Sequence, residues 1–134
     1  MGATTVHLRN VPGTNAAMGW AGSHTLVIDR AEGRAGGMGL GFNGAEMIAL
    51  AIGGCFCNDL RYVADAEEIA LTTIEVDVIV HLDGNPLLVT SAELRARVMA
   101  EGAVDIPALI GRTEAISAIT NSVRRGFPVA VHAA

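Results

Sequence analysis

Cys55 and Cys57 are the only thiols among 134 residues, and they close a run from position 47 to 57 made entirely of apolar side chains and glycine. Sulfur chemistry runs through the thiolate, which a nearby arginine or a helix N-terminus favours and apolar burial opposes. On a helix these two side chains point about 200° apart, from the 3.6-residue period, so they cannot bridge each other without unwinding. Asp59 stands four residues beyond Cys55, over the same face, where a carboxylate disfavours a thiolate. Arg61 holds the equivalent place beyond Cys57. By residue type alone, Cys55 is either an inert packing residue, the common fate of a free cysteine, or a reactive centre activated by an arginine from elsewhere. Cys57 stays open as the second candidate.

Other chemistry finds less support. The stretch Gly33-Arg34-Ala35-Gly36-Gly37-Met38-Gly39 invites a phosphate-cradle reading. No strand precedes it at the right distance, however, and no Gly-Lys-Ser/Thr follows, so it reads as a connector. His7, His24, His81 and His132 are scattered without ligand spacing, and Cys-x-Cys alone is an incomplete metal set. We therefore expect neither a metal nor a cofactor. The net charge is −5, and all nine cations are arginines with no basic cluster, a poor footprint for nucleic acid. The longest apolar run falls short of the ~20 residues that span a bilayer, and the N-terminus lacks the charged and apolar regions of a secretory leader. Val6 stands where a myristoylation signal wants Ser or Thr. Two closely spaced cysteines do not make a secreted disulfide framework. The expectation is a cytoplasmic protein without membrane or nucleic-acid partners.

The elements that must position Cys55 follow from pattern. Residues 1–134 fit one domain. Residues 4–9 alternate and read as a strand, residues 10–15 hold the Pro12-Gly13 turn, and residues 19–29 read as a second strand. Residues 31–43, with five glycines, form a connector. Asn43 followed by Glu46 predicts a capped helix start, and the helix runs to about residue 66. Because residues 47–57 have no polar face, that helix is expected to be buried all round. Residues 72–82 alternate strictly, with Ile74, Val76, Val78 and Val80 on one face; after Asp83-Gly84-Asn85-Pro86 the chain returns over residues 87–99 as an antiparallel hairpin. Residues 105–125 predict a second helix, started by Asp105 and stopped by Gly126, and residues 127–132 a last strand. The fold class is α+β, antiparallel strands around buried helices, in the order ββ-α-ββ-α-β.

These residues also carry a resemblance. The Gly-rich connector, Asn43-Gly44-Ala45-Glu46, the long apolar run and Gly53-Gly54-Cys55-Phe56 resemble the central helix of the OsmC/Ohr family, the osmotically inducible and organic hydroperoxide resistance proteins. Ser117-Ala-Ile-Thr-Asn-Ser-Val-Arg-Arg-Gly-Phe-Pro-Val is similar to the family's second motif, Cys-Pro-Val-Ser-Asn-x-Leu followed by Gly-Val-Pro-Val. The resemblance implies an intertwined homodimer with two central helices in the middle and sheets outside. It also implies that Cys55 is a peroxidatic cysteine, oxidised to a sulfenic acid by a small organic hydroperoxide. Arg9 and Glu46 match the arginine and the acid that hold the thiolate, Glu46 standing one residue beyond the family position at Ala45. Ser117 occupies the place of the resolving cysteine, so this is a member lacking the second cysteine. Its sulfenic acid would need an external thiol reductant. The alternatives are a non-catalytic relative that binds a small apolar or electrophilic ligand in the dimer groove, or a purely structural Cys55.

Overall fold

The computed structural model describes residues 2–134. The chain divides into two compact units, Met1–Met47 and Ile48–Ala134. In the first unit, β1 (His7–Asn10), β2 (Ala17–Ala21) and β3 (His24–Ile28) form an antiparallel sheet in the order β1-β2-β3. The second strand expected over residues 19–29 is thus two strands. Gly22 breaks it with φ +60, a left-handed conformation that glycine adopts without steric cost and that two-residue hairpins require.

Beyond β3 the glycine-rich connector is an anchored loop, and Asp29 is the anchor. Its Oδ1 accepts from the backbone N–H of Arg30 at 2.7 Å, and its Oδ2 from those of Met38 and Leu40, each at 3.1 Å. The Arg30 guanidinium lies 3.3 Å from the same carboxylate. The Leu40 N–H holds the Asp29 carboxyl below its usual value, against the opposing effect of burial and with the help of Met38 and Arg30. Phe42 then returns beside β3, exchanging backbone hydrogen bonds with Val27 and Asp29.

Helix α1 (Gly44–Ala66) opens with the predicted reciprocal cap. Asn43 Oδ1 accepts from the Glu46 N–H at 2.8 Å, and Glu46 Oε1 accepts from the Asn43 N–H at 3.0 Å. In the second unit, β4 (Leu71–Asp83) and β5 (Leu88–Ala100) pair antiparallel, with Ile74 opposite Val98 and Val78 opposite Leu94. Phe56 and Leu60 of α1 form the core with Val98 of β5 and Leu109 of α2 (Ile106–Ile116), and Ile74 and Val76 pack against it. The helix lies close on β4 at Gly53, where a Cβ would meet Val78 Cγ2 at 2.9 Å. Any larger residue there would force the Val78 side chain or the helix to shift.

Three further expectations need correcting, though the α+β class with antiparallel sheets holds. The helix expected over residues 105–125 is two, α2 and α3 (Ala118–Arg125), separated by Ser117 in an extended conformation with ψ 110. Residues 127–132 form no strand: Phe127, Val129 and Val131 alternate as a strand would, but Val131 is 90% exposed. A strand exists only as part of a ladder, and among the described residues this segment has no partner. The order is therefore βββ-α-ββ-α-α. Nor is α1 buried all round. Ile52, Phe56, Leu60 and Ala64 make a buried stripe, whereas Leu50 is 48% exposed and Ala51 and Gly54 lie open beside it. One chain supplies a packing surface for one face only. The 23 residues of α1 match a membrane span in length and composition, but Phe56 and Leu60 are taken up by a core shared with β5 and α2.

Candidate functional site

The helical period that turns Ile52, Phe56 and Leu60 inward places Cys55 and Asp59 together on the flank of that stripe, one turn apart. The half-buried Cys55 thiol donates to Asp59 Oδ2 at 3.3 Å. Asp59 is only 9% exposed. Ser117 also reaches this thiol. Its hydroxyl makes no cap for α3 and is turned to the sulfur instead, donating toward Cys55 Sγ at 4.0 Å. Ser117 is fully buried, at 0% exposure. The break between α2 and α3 is what aims this side chain inward. Sulfur thus has both a hydroxyl donor and a carboxylate acceptor within reach, so a proton can leave the thiol while a hydrogen bond remains to the charge it leaves behind.

A cavity of about 380 Å³ opens within one turn of this cluster. Its walls include Ile48, Ile52, Val89 and Leu94, with Thr120 and Arg124 from α3. Ile52 lies three residues before Cys55, and Thr120 three after Ser117, although neither Cys55 nor Ser117 lines the space itself. The Arg124 guanidinium is held by Glu114 at 2.6 Å. The lining is mixed, since Thr90 and Ser91 of β5 add polar groups to those of Thr120 and Arg124. A concave space with apolar walls and a few polar groups is the general form of a small-molecule site.

The remaining residues named from sequence stand as follows. Arg9 is exposed on β1, opposite Met18, and donates to the Leu8 carbonyl at 2.7 Å. The Glu46 carboxylate is engaged in the cap of α1. Cys57 is half-buried and free, with no side-chain hydrogen bond among the described residues. Among the described residues, no group of three His, Cys, Asp or Glu side chains is placed to hold a metal ion. Sequence reasoning missed the helix break at Ser117. The signal was there, since serine favours the first position of a helix over its interior.

The chain matches the family model of OsmC-like proteins over residues 36–132, a span that contains Glu46, Cys55, Asp59 and Ser117. No curated protein matches it. Among solved structures, it is similar to an OsmC-like protein of unknown function from Vibrio cholerae, with TM-score 0.77 and 12% identity over 91% of this chain and 94% of that one. An OsmC-like protein from Mycoplasma pneumoniae gives TM-score 0.76 and 12% identity, over 92% and 88%. An organic hydroperoxide resistance protein from Legionella pneumophila gives TM-score 0.65 and 18% identity, over 92% and 90%. At these identities the structures speak for the fold alone, but the family model covers most of the chain, and the protein belongs to the OsmC-like family.

Proposed function

We propose that this OsmC-like protein reduces small organic hydroperoxides with a single peroxidatic cysteine, Cys55, and an external thiol as reductant. The observation that carries the reading is the 4.0 Å approach of Ser117 to Cys55. The position that supplies a resolving thiol in the family's two-cysteine members reaches the sulfur here, but with a hydroxyl. Serine cannot form a disulfide, so a sulfenic acid on Cys55 has to be released by a thiol from solution, first as a mixed disulfide and then by exchange. A reducing cytoplasm supplies such thiols. Arg9 and Glu46 take the thiolate-holding roles the resemblance assigns them. Stopped-flow oxidation with cumene hydroperoxide and hydrogen peroxide tests the reading: wild type should react faster with the organic peroxide, and Cys55→Ser should not react at all. Equal inertness of wild type and variant would discard it.

The working unit in this reading is a homodimer, with residues 1–134 acting as one OsmC-like domain in each copy. The support is the open apolar face of α1 around Leu50, Ala51 and Gly54, which a second copy would cover while burying more than ~2,000 Å² in all, the range of obligate interfaces. Sedimentation should give a dimer at micromolar concentration, and a folded monomer there would refute the assembly. A second reading, a relative that binds a small apolar or electrophilic ligand, draws on the cavity of about 380 Å³ beside the cluster. It is favoured if Cys55 resists peroxide while an apolar ligand raises the melting temperature.

A further inference from the structure

We propose that Asp59 is the proton carrier of the Cys55 reaction, taking the thiol proton as sulfur attacks a hydroperoxide and delivering it to the departing alkoxide. The inference rests on the hydroperoxide reading above and adds a catalytic residue to it. Two observations carry it. The first is direct: Cys55 Sγ donates to Asp59 Oδ2 at 3.3 Å, so the proton that must leave the sulfur already points at a carboxylate oxygen. The second is what Asp59 lacks. A buried carboxylate ordinarily collects strong donors or a cation. Among the described residues, Asp59 has no ion-pair partner, and its one side-chain hydrogen bond comes from a thiol, a weak donor. Its other oxygen, Oδ1, has no hydrogen bond, yet among the described residues no buried polar side-chain atom is left unpartnered. Oδ1 is therefore not fully sealed from solvent.

The step balances as follows. The S–H bond breaks toward Asp59 Oδ2, and the sulfur electron pair attacks the terminal oxygen of the hydroperoxide. The O–O bond breaks, leaving Cys55 as a sulfenic acid that keeps the terminal hydroxyl. The O–O electron pair departs on the alkoxide, which takes the proton from the Asp59 carboxyl and leaves as the alcohol. Sulfur is oxidised by two electrons, the peroxide is reduced by two, and Asp59 ends as the carboxylate it began as. The Ser117 hydroxyl, which donates toward the sulfur, is directed at the charge that develops there.

Leaving-group chemistry tests this. Cumene hydroperoxide expels an alkoxide, which needs a proton; peracetic acid expels acetate, which does not. Asp59→Asn should slow sulfenic acid formation with both oxidants, since the thiol proton loses its acceptor. It should slow it by a further ~10²-fold with cumene hydroperoxide, where the leaving group also loses its proton donor, at the low end of general acid–base contributions. Dimedone trapping and mass spectrometry read the sulfenic acid with either oxidant. A variant as fast as wild type on cumene hydroperoxide, or slowed equally on both oxidants, overturns the inference while the hydroperoxide reading stands. Wild type inert to both overturns that reading and the inference together. Should Asp59→Asn fail to fold, wild type in D₂O decides: the cumene hydroperoxide rate should fall more than the peracetic acid rate, and an equal response overturns the proposal.

Discussion

Asp29 and Asp59 are both buried carboxylates, 3% and 9% exposed, and their surroundings differ in kind. Asp29 accepts from three backbone N–H groups and lies against a guanidinium. Every bond it makes goes to the loop that follows β3, and the loop's path is their product. Asp59 has one side-chain partner, a thiol, and no cation among the described residues. The first carboxylate is saturated and has nothing left to offer a ligand, so its role is structural. The second is held weakly, by a group that can itself react, so its cost of burial is compensated poorly by folding contacts and is better explained by chemistry. The number and strength of donors separates the two, where depth of burial does not.

The largest expected effect tests whether the surroundings of Asp59 are a place where bonds can be remade. Ser117→Cys sets a second thiol where the hydroxyl now lies 4.0 Å from the sulfur. A disulfide needs about 2.05 Å between sulfurs and Cβ atoms roughly 3.5–4.5 Å apart, within reach of a small rotation at the α2–α3 break. One equivalent of cumene hydroperoxide should link Cys55 to the introduced thiol, read by intact-mass and peptide mass spectrometry. The linkage takes sulfur away from Asp59, and the fold should survive that loss. If the variant over-oxidises without forming the bond, or unfolds when it forms, then the Asp59 cluster is as rigidly structural as that of Asp29.

Smaller in effect, and aimed at the comparison itself, is a pair of truncations. Asp29→Ala leaves the N–H groups of Met38 and Leu40 without their acceptor, so its melting temperature should drop, and protease should cut first within residues 30–42. Asp59→Ala removes only a thiol-to-carboxylate bond together with a poorly compensated charge, and should cost about 1 kcal/mol or less, the size of one net hydrogen bond. Thermal melts of the two variants beside wild type decide it. Equal losses would erase the distinction drawn between the two carboxylates.

How much of this was legible from sequence depends on what each contact uses. The cap of α1 is readable because both partners are side chains of specific type three residues apart, Asn43 and Glu46. The β4–β5 hairpin is readable because strict alternation and a turn sequence coincide. The contact of Cys55 with Asp59 follows from helical spacing once the helix is known. Ser117 is 62 residues from Cys55, and no periodicity connects them; only the family resemblance brings the two positions together. The anchoring role of Asp29 is hidden because its donors are backbone groups, whose side-chain identities leave no trace. Gly22 reads as a strand residue because β-prone residues, Trp20 before it and Thr25 to Ile28 after it, stand on both sides, and the turn rests on one backbone angle. The open face of α1 escapes for another reason: composition reports that a surface is apolar, not how much of it one chain can cover.

The smallest effect is in the acid dependence of stability, and here the sign is fixed by direction alone. The folded-state pKa of Asp29 lies below the ordinary aspartate value of 3.8, chiefly through the Leu40 N–H, with burial acting against and Met38 and Arg30 adding to the effect. A carboxyl with a depressed folded pKa binds its proton more readily in the unfolded chain. Its contribution is therefore present in full above the unfolded value and is lost as pH falls through the folded one. Asp29→Asn keeps the size and one acceptor of the side chain but cannot titrate. Compared with wild type, this variant should be less stable at neutral pH, with the gap narrowing as pH falls below about 4, the ordinary range of an aspartate. Urea melts at stepped pH measure that gap directly. A gap that stays constant down to the lowest pH at which both fold would show that the Asp29 loop is held by shape and not by charge, and the saturated carboxylate would lose its part in the comparison.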